Sequence, residues 1–117
     1  IMKSKFFLLA IVIALVGVCA VSYAHDNDYQ YVIQEAARRN IKLITEQQAM
    51  DIAIKRFAPD TAHIKEIDLD NEIDDYPTPH SENFRPVYSL ECIANGQEYD
   101  LDIDAVTGEI LKFKLDH

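Results

Sequence analysis

The stretch PVYSLECIANGQEYDLDIDAVTGEILKFKL, residues 86–115, places two turn signals between three runs of alternating apolar and polar residues. Asn95-Gly96 is the stronger signal, because both residues tolerate the positive φ of a two-residue type I′ hairpin. Pairing Ala94 with Gln97 across that turn predicts Cys92 opposite Tyr99, Leu90 opposite Leu101 and Tyr88 opposite Ile103. All six then share one face, as a half-buried sheet requires. The second turn runs from Asp104 to Glu109, with Gly108 in the left-handed position and one extra bulge residue. It predicts Ile103 opposite Leu111, Leu101 opposite Phe113 and Tyr99 opposite Leu115. On the other face Glu91, Asp100 and Lys114 form one row and Ser89, Asp102 and Lys112 the next, so acid meets base.

Upstream of this meander, Ile67 and Leu69 alternate with Glu66, Asp68 and Asp70, which predicts a further strand from about Ala62 to Asp70. Thr45 stands three residues before Gln48, a capping box, and Ala49, Ile52, Ala53 and Phe57 recur at helical spacing until Pro59. Before it, Asp28 can cap a helix from Tyr29 to Arg39 that ends at Asn40, with either Val32, Ala36 and Arg39 or Ile33 and Ala37 facing inward. Ile41 to Ile44 reads as a short extended link. The expected fold class is therefore α+β, with an N-terminal helix or helices packed on one face of an antiparallel sheet of three to four strands.

A chain of 117 residues, 49% hydrophobic and 26% charged, has room for one compact domain and a short appendage. Lys3 and Lys5 precede an apolar run from Phe6 to Val18 that closes on Ser22-Tyr23-Ala24, the layout of a secretory signal peptide cut before His25. Residues 1–24 are accordingly read as the signal, 25–40 as a helical extension and 41–117 as the main domain. This implies a periplasmic or extracellular protein, membrane-bound only if the first segment stays uncleaved. Losing Lys3 and Lys5 and no acid would move the formal charge from -9 to -11. Such a field repels phosphate and anionic lipid, arguing against nucleic acid and leaving basic partners open.

No catalytic motif stands out, and neither an enzyme activity nor a cofactor is expected. Asp100, Asp102 and Asp104 lie about 6–7 Å apart in turn along a strand and meet Lys112 and Lys114, so they read as a salt-paired surface. The calcium-loop template fails at Ala105 and Leu111, where Gly and Glu are needed, and the cluster Asp68, Asp70, Glu72, Asp74, Asp75 has Ile73 at its Gly position. Cys92 falls on the buried face, where a thiol is an inert small hydrophobe. His25, His63, His80 and His117 lack zinc-site spacing and are expected at the surface. Asn71 to Arg85 reads as a long acidic loop, either a plain crossover or a partner-contact surface carrying Asp74, Asp75, Tyr76, His80 and Phe84.

Ile44-Thr45-Glu46-Gln47-Gln48-Ala49 with Ala53, then Arg85-Pro86-Val87-Tyr88, Glu98-Tyr99 and Asp104-Ala105-Val106-Thr107-Gly108-Glu109-Ile110, together resemble a PepSY domain over about residues 41–115. The resemblance implies a helix packed on an antiparallel sheet. It also implies an inhibitory or regulatory module for peptidases, as in the propeptides of thermolysin-like metalloproteases. With no protease domain in this stretch, any inhibition is expected in trans, on an exported peptidase or another envelope protein. Tyr88, Tyr99, Asp104, Thr107 and Gly108 carry the likeness and each has a structural reason to be there. The alternative expectation is an envelope accessory domain holding a small ligand or cation.

Overall fold

The chain folds in the order α1 (Asn27–Arg38), α2 (Glu46–Arg56), β1 (Ala62–Asn71), β2 (Pro86–Ala94), β3 (Gln97–Asp104) and β4 (Ile110–Asp116), in a computed structural model that describes residue 25, residues 27–77 and residues 83–116. The signal-peptide reading of residues 1–24, together with His80 and His117, lies outside the described residues. No helix among the described residues is long and apolar enough to cross a membrane.

Each strand pairs antiparallel with its chain neighbour, giving a four-stranded sheet in the order β1-β2-β3-β4. Asn95 (φ 54°) and Gly96 (φ 74°) both take the left-handed conformation at the first hairpin. The β2–β3 register follows the expected one, with Cys92 opposite Tyr99, Leu90 opposite Leu101 and Tyr88 opposite Ile103. Between β3 and β4, Leu101 faces Phe113 and Tyr99 faces Leu115 as expected, but Ile103 faces Ile110 instead of Leu111. The reason is a tighter turn. Asp104 N donates to Glu109 O at 2.8 Å and Gly108 N to Asp104 O at 2.8 Å, so the extra residue leaves the turn and Leu111 becomes a bulge within β4. A second bulge between Ile64 and Glu66 keeps Ile64 and Ile67 on one face despite their odd spacing.

Both helices lie on the face that carries Ile67, Leu69, Leu90, Cys92, Leu101 and Ile103, all fully buried. Tyr29, Val32 and Ala36 of α1 and Ala49, Met50 and Ala53 of α2 complete that core. Burying each larger aliphatic side chain contributes about 1.5–3 kcal/mol. The Val32 and Ala36 stripe of α1 is thus the inner one, and Ile33 is left 40% exposed. Asn40 (φ 57°) ends α1, with Asn40 N on Ala37 O at 3.1 Å and Ile41 N on Ala36 O at 2.9 Å, the paired bonds of a Schellman stop. At the start of α2, Gln48 N donates to Thr45 Oγ1 at 3.0 Å and Thr45 N to Gln48 Oε1 at 2.8 Å, closing the expected capping box.

The link between the helices is tied to the far end of the sheet. Ile44 N donates to Ala105 O at 2.8 Å, and Ala105 N donates to Pro86 O at 3.0 Å. The Tyr88 hydroxyl donates to Ile44 O at 2.9 Å. Tyr88 thereby fills the core and holds the strand of residues leading into α2.

Candidate functional site

Strand alternation sends Glu66, Asp68 and Asp70 of β1, Ser89 and Glu91 of β2, Asp100, Asp102 and Asp104 of β3, and Lys112 and Lys114 of β4 to the face away from the helices. The expected rows Glu91–Asp100–Lys114 and Ser89–Asp102–Lys112 are present in register. This face is not simply solvated, because residues 72–77 of the β1–β2 connection fold over it.

The neck of that connection is closed by backbone and amide bonds. Glu72 N donates to Arg85 O at 2.8 Å, Arg85 N to Asn71 Oδ1 at 2.7 Å and Asn71 Nδ2 to Asn83 O at 2.9 Å. Beyond the neck the chain makes one turn, with Asp75 N and Tyr76 N donating to Glu72 O at 3.1 and 2.8 Å. That turn aims Tyr76 at the sheet, where its hydroxyl donates to Asp102 Oδ2 at 2.7 Å. Ser89 Oγ donates to Asp102 Oδ1 at 2.9 Å, and Lys112 Nζ stands 3.6 Å from Oδ2. Asp102 is 9% exposed, so a carboxylate there depends on these three partners.

Between the connection and the sheet lies a cleft of about 270 Å³ lined by Glu66, Asp68, Glu72, Asp75, Asp100 and Asp102, with Lys112 at one side. Burial, a hydrogen bond to Asp75 and the charges of Asp75, Asp70 and Asp102 push the Glu72 carboxyl up to about 7. Glu91 is also raised, first by burial and then by Glu66 beside it. The Tyr76 hydroxyl is raised by burial and by the Asp102 carboxylate that it serves. Among the described residues, no three His, Cys, Asp or Glu side chains converge so as to hold a metal ion.

Asp74 and Asp75 are exposed at the turn and Tyr76 is half-buried against the sheet. Phe84 is placed differently from its companions in the contact-loop reading. It is 8% exposed, joins the hydrophobic core and carries the Arg39 guanidinium 5.0 Å from its ring centroid. It anchors the returning end of the connection. The spacing reading places Asp102 beside Ser89 and Lys112 and names Glu72 only within an acidic cluster, but it does not reach the Tyr76–Asp102 bond. The only signal for that bond was a lone tyrosine in an acidic loop, which does not name its partner.

The remaining motif residues make bonds and contacts within the fold. Asp104 Oδ1 accepts from Val106 N at 2.7 Å and Thr107 N at 3.0 Å, and Oδ2 faces Arg85 Nη2 at 3.1 Å. Thr107 Oγ1 accepts from Glu109 N at 3.2 Å. Gly108 has φ 82°, and a Cβ there would stand 3.1 Å from Ile52 Cδ1 of α2. Tyr99 joins an aromatic group with Phe57 and Phe113, at centroid distances of 5.1 and 5.4 Å. Cys92 is fully buried, and burial with the nearby Asp100 charge pushes its thiol up to about 11, far from the thiolate that nucleophilic chemistry needs.

The family profile described as PepSY, peptidase propeptide and YPEB domain, matches residues 43–114, the range that holds the capping box of α2, the buried Tyr88 and the Asp104–Gly108 turn. The chain belongs to the PepSY family. The matched range runs from the helix link to the end of β4 and leaves α1 outside it. PepSY domains are generally non-catalytic modules of a propeptide-like or inhibitor-like kind. Neither the curated proteins nor the solved structures yield a match.

Proposed function

We propose that this chain is an exported, non-catalytic PepSY binding module that restrains or regulates a peptidase in trans. The observation that carries the reading is the PepSY match across residues 43–114, a family described by its peptidase propeptides. The chemistry of the chain supports the non-catalytic part. Its one described cysteine is buried and fully protonated near neutral pH, and the nearly buried Asp102 carboxylate is committed to Tyr76, Ser89 and Lys112. Asp74, Asp75 and Tyr76 form the contact surface in this reading, with a basic patch on the partner as the complementary feature. Export by a leader ending at Ala24 belongs to the same proposal, and mass analysis of the secreted chain should find His25 first.

The purified protein, added to peptidases exported by the same cells, should slow hydrolysis of a peptide substrate in a saturable manner. The substitution Asp74→Lys should weaken that inhibition several-fold while leaving the thermal midpoint nearly unchanged, because its side chain is exposed. Unchanged hydrolysis across all those peptidases would sink the proposal.

A further inference from the structure

Residues 72–77 form a strap across the acidic face, fastened to the sheet through the Tyr76 hydroxyl on Asp102. The one-turn conformation that aims Tyr76 inward also puts Glu72 and Asp75 together on the lining of the cleft. Closing the strap therefore has an electrostatic cost. From β1, Glu66, Asp68 and Asp70 face the region beneath it; from β2, Ser89 and Glu91; from β3, Asp100 and Asp102. On the α1 side, Asp28 and Tyr31 line the shallow hollow that also reaches Asp70 and Glu72. The cation lining the cleft is Lys112 of β4, whose ammonium is already drawn to Asp102 at 3.6 Å.

Two carboxylates held together in a partly dry site do not both ionise readily, and one proton between them converts repulsion into a hydrogen bond. We propose that the strap is a proton-operated latch: it lies closed on Asp102 while Glu72 carries a proton, and it lifts when that proton leaves. The proton goes to solvent and no covalent bond changes. The position of the Glu72 titration, about 7 against an ordinary 4.5, sets the window. A carboxyl raised in the closed state favours that state fully below about 4.5, and the advantage is lost as pH rises through about 7. Lifting the strap uncovers Ser89, Glu91 and Asp102, so the upper side of the window presents a more open and more negative face. The latch stands independently of the peptidase reading, since it concerns only how the strap sits on its own sheet.

The test is a carboxyl-carbon and tyrosine-ring NMR titration of the purified chain between about pH 5 and about pH 9. The latch requires a Glu72 midpoint near 7 and a shift of the Tyr76 ring signals with the same midpoint. Glu91, also raised, is assigned separately through Glu91→Gln. Glu72→Gln should hold the Tyr76 signals at their low-pH positions throughout, while Tyr76→Phe should bring the Glu72 midpoint down toward the ordinary carboxyl range. A wild-type Glu72 midpoint already in that range overturns the proposal. So does a midpoint near 7 with Tyr76 unmoved, because a buried carboxyl that titrates without moving the strap is not a latch.

Discussion

Asp104 and Asp102 sit two residues apart on the same face of β3, both nearly buried, and they use their carboxylates in opposite ways. Asp104 spends Oδ1 on the amides of Val106 and Thr107, within its own turn, and only Oδ2 reaches outside it, to Arg85. Asp102 bonds Tyr76 and Ser89, from two other parts of the chain. The first arrangement is set by local geometry, since an Asx cap needs only the next few residues. The second exists only once the sheet has formed and the strap has been laid across it. A local carboxylate defines the fold, whereas a long-range one leaves a part of the fold adjustable.

Breaking the local member should therefore do the greater damage. Asp104→Ala removes the oxygen that accepts from two backbone amides and the partner of Arg85; it should lower stability by about 2–3 kcal/mol in a denaturant titration. If the loss is under about 0.5 kcal/mol, the turn does not depend on its cap. Gly108→Ala tests the same turn from its other end. The positive φ and the 3.1 Å approach to Ile52 should together cost about 1–2 kcal/mol, readable as a lower thermal midpoint. The smallest effect on stability is expected at the long-range member. Asp102→Asn keeps a hydrogen-bonding group for Tyr76 and Ser89 but deletes a charge, and should cost no more than about 1 kcal/mol. It should also lower the Glu72 midpoint, because the Asp102 charge is among those that raise it. A Glu72 midpoint indifferent to Asp102→Asn would separate the two groups and weaken the contrast.

The same division between local and distant interactions explains which parts of the fold are legible in the sequence. Asn95-Gly96 fixes its register by itself, so every β2–β3 pair follows from two residues. Thr45 with Gln48, and Asn40 at the end of α1, are likewise legible because each cap closes within a few residues. The β3–β4 register was legible at Leu101–Phe113 and Tyr99–Leu115 but slipped at Ile103, because the extra residue can sit in the turn or in the strand with the same alternation beyond it. The bulge in β1 had a faint signal, the odd spacing of Ile64 and Ile67. The candidate site was the least legible part. Tyr76 and Asp102 are separated by 26 residues, and nothing periodic connects a loop tyrosine to one of three similar aspartates on a strand. Phe84 looked like a loop aromatic for the same reason, although its burial makes it an anchor.

The bond from Ile44 to Ala105 carries a consequence for how the chain matures. A polypeptide made from its N-terminus delivers both helices well before the residues that grip them, since Tyr88 and Ala105 lie in the second half of the chain. Until those residues emerge, Val32, Ala36, Ala49 and Ala53 have no sheet to cover. Such a molecule stays slack and threadable through most of its synthesis and tightens late, when a distant contact closes the circuit.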